Sequence, residues 1–172
     1  KLSFRGFMKK EVYDKIDSGL VMPEDQRIFP NPENPSKADK MIEELGGVDI
    51  AFGGIGITGH LAFNEPEVEL SVDEFKNLST RVLDIHPETI AVNSVSDLGG
   101  AIEIMPKRCV TIGFKQIYGA RKICLGVFRE LHKAVVRRAA YGEVCTEFPV
   151  TIVQNHPDAM ILVNDIAVQK PW

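Results

Sequence analysis

Long apolar segments and an excess of basic residues are both missing from this sequence. No run of about 18 apolar residues occurs, so we expect no segment that spans a membrane. Lysine and arginine number 20 against 24 aspartate and glutamate residues, and the net charge is −4. Nucleic-acid binding generally needs a dense positive surface. We therefore expect neither a membrane nor a nucleic-acid partner, although a small anion needs only a few local donors.

Cysteine is scarce as well, with Cys109, Cys124 and Cys145 the three in the chain. They are an odd number at wide spacing and form no CxxC pair, so we expect no disulfide framework. The four histidines do not cluster at ligand spacing either, and we predict no metal site. We interpret the cysteines as buried, reduced thiols of a cytoplasmic protein, with a catalytic thiol as the alternative. No export signal is visible, which favours the same compartment.

Short apolar runs alternate with amphipathic segments along the chain. The runs predict strands at 48–54, 80–85, 108–112, 121–128 and 159–163. Helices are predicted at 4–16, 37–47, 87–95, 115–120 and 129–144, whereas 70–79 is expected to be irregular. Near-continuous apolar strands separated by helices are typical of a parallel sheet covered on both faces. We predict a single α/β domain over 1–172, with a three-layer, largely parallel, Rossmann-like sheet and helices on both faces.

A glycine-rich loop, GGIGITGHLAFNEPE at 53–67, follows the first predicted strand. Ligands of open parallel sheets bind at the carboxyl ends of strands. Gly54, Gly56 and Gly59 would let the backbone approach such a ligand closely. The loop contains G-x-G-x-x-G, but Asn64 and Pro66 interrupt the long helix that a dinucleotide site needs after it. The loop therefore predicts a small-molecule site rather than a dinucleotide site.

His60 and Glu65 are the titratable pair of this loop. Histidine takes and gives a proton near neutral pH, and a nearby carboxylate can hold one imidazole tautomer and stabilise the cation. The alternative is a structural histidine beside a surface glutamate. The coincidence of a buried strand, a glycine-rich turn and this pair favours acid–base chemistry.

The string GGIGITGHLAFNEP closely resembles the motif of the glucosamine-6-phosphate deaminase (isomerase) family, whose usual form is G-[IV]-G-x-D-G-H-[IL]-A-F-N-E-P. The segments SFRGFMKKEVYDKID, MPKRCVTIG and LHKAVVRRAAYGEV resemble further parts of that family in the right order. The resemblance covers residues 3 to about 165. It implies conversion of an amino-sugar 6-phosphate to a ketose 6-phosphate and ammonia, by ring opening and enediol proton transfer.

The resemblance also implies roles for individual residues. His60 would open the sugar ring by passing a proton to the ring oxygen, with support from Glu65. Asn64 of the motif joins the three loop glycines as an expected substrate-binding residue. Lys133 matches a phosphate-binding lysine, with a solvated helix lysine as the alternative. Arg81 matches an arginine that some members use at an allosteric sugar-phosphate site, with a plain salt bridge as the alternative.

Three departures from the family pattern bear on activity. Thr58 stands where the family has an aspartate. It is therefore the third expected catalytic residue after His60 and Glu65, and its side chain carries a hydroxyl group but no charge. Val95 stands where a phosphate-binding arginine is usual, and Arg137 or Arg138 could compensate. The family's first strands, phosphate loop and enolising aspartate have no counterpart here. We expect exposed apolar edges and poor folding of this chain as a monomer.

Two alternatives to the deaminase follow from these departures. One is a regulatory protein that binds a sugar phosphate without turnover, and the other is a related sugar-phosphate isomerase or lactonase. No cofactor is expected, because an enediol route needs only acid–base chemistry. Members of the family are often oligomeric, so the resemblance also implies a homo-oligomer.

Overall fold

The computed structural model describes residues 3–172 and not Lys1 and Leu2, the first two residues of the predicted domain. Helices and strands alternate along the chain. The helices are α1 (Phe4–Glu11), α2 (Ser36–Glu44), α3 (Val72–Lys76), α4 (Pro87–Leu98), α5 (Phe114–Tyr118) and α6 (Lys133–Tyr141). The strands are β1 (Ile50–Gly53), β2 (Arg81–Asp84), β3 (Arg108–Thr111), β4 (Lys122–Val127) and β5 (Ala159–Val163). Short 3-10 turns include Glu130–His132 and Pro149–Asn155.

The main sheet has three parallel strands in the order β1–β4–β5. Gly53 of β1 lies beside Leu125 of β4, which in turn lies beside Ile161 of β5. Because the strands are parallel, the carboxyl ends of β1 and β4 meet at the same edge of the sheet. The glycine-rich loop and the segment that leads to α6 both begin at this edge. The predicted α/β class and largely parallel sheet are confirmed.

Strands β2 and β3 do not join this sheet and form a separate antiparallel pair. Asp84 lies directly opposite Arg108, and their side chains form an ion pair at 3.3 Å. Opposite charges at facing positions favour such a pairing. A strand buried in a parallel sheet is apolar along most of its length, as β4 is. The charged ends of β2 and β3 are consistent with a pair of strands that is not buried in the main sheet.

Helix α3 corrects the expectation that 70–79 is irregular. The Ser71 hydroxyl accepts a hydrogen bond from the backbone N–H of Glu74, and the Glu74 carboxylate accepts one from the backbone N–H of Ser71. This capping box satisfies two N–H groups that a helix start otherwise leaves unpaired. Phe75 is then fully buried. A serine followed three residues later by glutamate was the signal in the sequence.

The core lies where β4 is covered by the helices that flank the sheet. Ile123 and Leu125 of β4 are buried with Phe75, Phe114 and Ile152 in one apolar cluster. Loop residues from the glycine-rich segment join the same cluster, so the candidate site is anchored directly on the core. The remaining buried members are Ile55, Leu61, Ala120, Val127, Val135, Ala139, Phe148, Val150 and Val153.

Strand β1 carries the exposed apolar edge that the sequence analysis predicts. No strand between residues 3 and 172 pairs with its outer side, and Phe52 is 78% exposed.

The cysteine prediction needs a correction: all three thiols are free, but Cys109 and Cys145 are only half-buried, and Cys124 alone is buried. Burial, with the nearby charge of Glu65, raises the pKa of Cys109 to about 11. A protonated thiol of this kind is a weak nucleophile.

Candidate functional site

The glycine-rich loop is held in a compact shape by its own backbone. The N–H of Gly56 donates to the carbonyl of His60, and the N–H of Gly59 donates to the carbonyl of Gly56, each at 3.0 Å. Gly59 has a φ of +79° and lies against the ring of Phe148, where an added Cβ would be 2.6 Å from the nearest ring atom. Both the backbone conformation and the close contact require glycine there. His60 is thereby fixed at the carboxyl end of β1.

Three side chains of this loop meet through hydrogen bonds. The Nδ1 atom of His60 lies 2.9 Å from Oε2 of Glu65 and 2.8 Å from Oγ1 of Thr58. The Thr58 hydroxyl donates to the same Oε2 atom at 2.7 Å. A carboxylate can only accept hydrogen bonds, so Nδ1 carries a proton and donates a hydrogen bond to Glu65. In neutral His60 the Nε2 atom then carries no proton and can accept one. This is the tautomer that a general base needs.

The electrostatics of the pair favour an ionised glutamate beside a histidine that can be protonated. Burial alone would raise the pKa of Glu65, since its side chain is only 7% exposed. The hydrogen bond and charge of His60, with the hydroxyls of Thr58 and Thr89, outweigh burial and lower the pKa of Glu65 below its usual value. An ionised Glu65 accepts the hydrogen bond from Nδ1 of His60 and leaves Nε2 as the atom of the ring that can take up a proton.

We predict that Thr58→Val weakens the protein at neutral pH by about 0.5–1.5 kcal/mol, because Glu65 loses a hydrogen-bond donor. A carboxylate whose pKa is lower in the folded than in the unfolded state contributes stability above its unfolded pKa. That contribution is lost as the pH falls through the folded pKa. The difference between variant and wild type should therefore shrink below pH 4.5, the ordinary value for glutamate. Urea unfolding at pH 7 and in acid measures it.

Thr58→Ser is the matched control for this experiment, since it keeps the hydroxyl and should retain most of the stability. A loss in Thr58→Ser as large as that in Thr58→Val would contradict the prediction, because serine keeps the hydroxyl that donates to Glu65.

His60 opens onto a cleft of about 820 Å³, within the range typical of small-molecule sites. Its floor is formed by backbone and side chains at the ends of β1 and β4, including Gly54 and Gly56. An added Cβ at Gly56 would overlap the imidazole ring of His60, so the ring lies directly against this glycine. Phe63 stacks on the imidazole with ring centroids 5.8 Å apart. The imidazole therefore lies against the backbone at Gly56 and is stacked with an aromatic ring, and both contacts restrict its orientation.

The other two side chains predicted to be catalytic do not line the cleft. Glu65 and Thr58 are absent from its lining residues within 3–172, and their link to the cleft is the hydrogen bonding to His60. Thr89 of α4 lines the cleft, and its hydroxyl is 3.4 Å from Nδ1 of His60. Sequence reasoning missed Thr89, because only the packing of α4 against the loop brings it there.

No helix among residues 3–172 is long and apolar enough to cross a membrane. Within the same residues no three histidine, cysteine or acidic side chains are grouped so that they could hold a metal ion.

Comparison with known proteins identifies the family. No protein-family profile matches the chain. The chain is 30% identical over 173 residues to the glucosamine-6-phosphate deaminase of Mycoplasma mycoides, an alignment covering 99% of this chain and 66% of that protein. It is 34% identical to the corresponding deaminase of Hahella chejuensis, over 98% of this chain and 62% of the relative. The chain belongs to the glucosamine-6-phosphate deaminase family. It spans just under two thirds of the length of these curated relatives.

Solved structures agree with this family and fold. A structure described as a monomeric glucosamine-6-phosphate deaminase matches with a TM-score of 0.69 at 26% identity, over 80% of this chain and 54% of that chain. The 6-phosphogluconolactonase of Trypanosoma brucei matches with a TM-score of 0.53 at 17% identity, over 88% and 58% of the two chains. The second match shows a shared fold only. This chain thus shares its fold with a lactonase.

Two other residues that the deaminase resemblance singles out lie outside the cleft. Lys133 is the first residue of α6, and its Nζ atom pairs with Oε1 of Glu130 at 2.9 Å. Lys133 is not among the residues between 3 and 172 that line the cleft, although its neighbour His132 is. Val95, at the position of the family's phosphate-binding arginine, is 73% exposed and also lies outside the lining.

Asn64 and Arg81 belong to one structural network beneath the loop. Asn64 is fully buried, and its side-chain amide donates to the carbonyls of Leu61 and Ile112 at 2.9 and 3.0 Å. The Nη1 atom of Arg81 donates to Oδ1 of Asn64 at 2.8 Å, and its Nη2 atom is 3.8 Å from Glu67. This network ties the deaminase motif to β2 and to the segment after β3.

Proposed function

We propose that the complete protein is a glucosamine-6-phosphate deaminase, which converts an amino-sugar 6-phosphate to a ketose 6-phosphate and ammonia. One observation carries the proposal: the buried hydrogen bond from His60 Nδ1 to Glu65, at 2.9 Å, in a motif shared with the family. It leaves Nε2 of His60 as the proton-accepting atom at the cleft. Once the imidazole is protonated, Nε2 can donate the proton and act as a general acid.

Ring opening is the step that His60 can perform. The Nε2 atom would take the proton from the hydroxyl on C1 of the sugar and deliver it to the ring oxygen. The bond between C1 and the ring oxygen breaks, and a carbonyl forms at C1. Glu65 stabilises the imidazolium between the two transfers, which general acid–base catalysis requires. The later transfer of the C2 proton needs a further base, which the family resemblance places in its N-terminal part.

No cofactor is needed for this chemistry, since it consists of proton transfers and of the attack of water on the C2 imine, which breaks the bond between C2 and nitrogen and releases ammonia. A phosphorylated sugar is an intracellular metabolite, so we also propose that the protein acts in the cytoplasm. A homo-oligomer stays a prediction from the resemblance; one related deaminase is described as monomeric. The single-domain organisation proposed over 1–172 can be checked by whether this segment unfolds in one cooperative transition.

We expect the complete protein to release ammonia from glucosamine 6-phosphate and the His60→Gln variant to be at least about 100-fold slower, because the general acid–base group is lost. A coupled assay for ammonia measures both. His86→Gln is the matched control, because His86 immediately precedes α4, lies outside the cleft and pairs with Glu88. It should keep the wild-type rate.

Two results would contradict the proposal. Folded wild-type protein that binds the sugar phosphate but releases no ammonia would favour a regulatory protein, the alternative that Thr58 and Val95 motivate. Ammonia release that is equal in wild type and His60→Gln would remove His60 from the reaction.

A further inference from the structure

Among residues 3–172, two basic side chains besides His60 line the cleft: Arg129 and His132. Both lie between the carboxyl end of β4 and the start of α6. The N–H of His132 donates to the carbonyl of Arg129 at 3.1 Å, which folds this segment into a short turn. Because β1 and β4 are parallel neighbours, this turn and the His60 loop leave the sheet at the same edge. The sequence spacing alone, with about 70 residues between them, gives no sign of this meeting.

Little negative charge compensates these groups. The one acidic residue that the described part of the chain contributes to the cleft lining is Asp97, which is exposed. Within residues 3–172 no carboxylate lies within ion-pair distance of Arg129 or His132, since nearby Glu130 pairs with Lys133 instead. The Nδ1 atom of His132 is buried and has no hydrogen-bond partner among these residues. Burial, followed by the charges of Arg129 and His60, lowers the pKa of His132.

We propose that Arg129 and His132 bind the phosphate group of the sugar phosphate, in place of the arginine whose position Val95 occupies. This inference rests on the proposed function, because it assumes that the ligand of the cleft carries a phosphate. A guanidinium presents a planar fork of N–H donors that fits two phosphate oxygens at once. The imidazole of His132 adds a further donor on the same wall, and His60 is left for the sugar ring.

The two arginines expected to compensate for Val95 are engaged elsewhere. Arg138 lies over the ring of Phe148 at 4.3 Å, and Arg137 donates to the carbonyl of Val168 at 3.0 Å. Both line a different surface pocket of α6 and are absent from the cleft lining among residues 3–172. This placement favours Arg129 over both as the cation that faces the phosphate.

Calorimetric titration of the complete protein with glucosamine 6-phosphate, and with inorganic phosphate as a probe, tests the inference. We expect Arg129→Met to weaken both affinities about tenfold, as loss of a charge-assisted hydrogen bond does. His132→Gln should weaken them less, and Arg129→Lys should lie between Arg129→Met and wild type, because it keeps the charge without the fork. Thermal unfolding of each variant establishes that it is folded.

Arg137→Met is the matched control, since it removes an equal charge from the same region outside the cleft. Unchanged affinity in Arg129→Met would overturn the inference, and so would an equal loss in Arg137→Met, which would indicate a nonspecific effect of charge. The two proposals fail separately. Ammonia release with no dependence of binding on Arg129 contradicts only the phosphate site, whereas Arg129-dependent binding without ammonia release contradicts only the deaminase.

Discussion

Replacing Gly56 by alanine should slow ammonia release by at least about 100-fold, as loss of a positioned acid–base group does. The added Cβ would occupy the space of the Cε1 and Nε2 atoms of His60. The imidazole must therefore shift or rotate, and we expect its hydrogen bond to Glu65 to be lost together with the tautomer that the bond fixes. The loss should appear in kcat, because His60 is displaced while the rest of the cleft stays in place.

Gly54→Ala is the control for this prediction, because it adds the same methyl group to another glycine of the loop. An added Cβ at Gly54 would meet the carbonyl oxygen of Gly126 at 3.5 Å, an ordinary van der Waals contact. We expect a much smaller loss of rate than for Gly56→Ala, although Gly54 also lines the cleft. The NMR titration of the His60 imidazole in both variants separates a displaced histidine from an unfolded loop. Full activity in Gly56→Ala would contradict the prediction, because it would show that ammonia release does not depend on the position of the His60 imidazole.

The parts of the fold and site that sequence reasoning predicted are those governed by local patterns. An apolar run followed by glycines predicts a buried strand and a loop on the ligand side of the sheet. The strand and the loop are present, but the prediction of burial is wrong, because β1 is the edge strand and most of its residues are exposed. The spacing of His60 and Glu65 within one loop made their pairing a sound expectation. Their hydrogen bond at 2.9 Å agrees with it.

The parts that were missed depend on how distant segments meet. Strands β2 and β3 were expected to join the parallel sheet, yet their antiparallel pairing depends on the register that sets Asp84 opposite Arg108. Arg129 and His132 reach the cleft only because β1 and β4 are neighbours, which alternation of strands and helices does not specify. Lys133 was predicted inside a helix at 129–144 and is in fact the first residue of α6, and its ion pair with Glu130 could not be predicted from the helical pattern.

Helix α3 was missed for a different reason, because its signal was present and local. The five-residue helix is too short for a clear apolar period, and its capping box is what marks it. The helix matters for the site because it delivers Phe75 into the core. The ring of Phe75 packs edge-on against that of Phe114 of α5, with centroids 4.9 Å apart and planes at 73°.

Phe75→Ala should therefore destabilise the protein by about 3–5 kcal/mol, the usual cost of removing a fully buried phenylalanine. Phe75 and Phe114 are each 0% exposed, so the cavity left behind could not be filled by solvent without further cost. Against a typical total of about 5–15 kcal/mol, this loss is a large fraction. Urea unfolding of the complete protein, followed by fluorescence and circular dichroism, measures it.

Phe7→Ala is the matched control, because Phe7 of α1 is 53% exposed and its removal should cost less than about 1 kcal/mol. Similar losses in the two variants would mean that the α3–α5 contact is not part of the cooperative core. A loss in Phe75→Ala with a changed m-value would instead indicate that α3 unfolds separately. Since the carbonyl of Leu78, just after α3, accepts a hydrogen bond from Lys115 at the start of α5, we expect the two helices to unfold together.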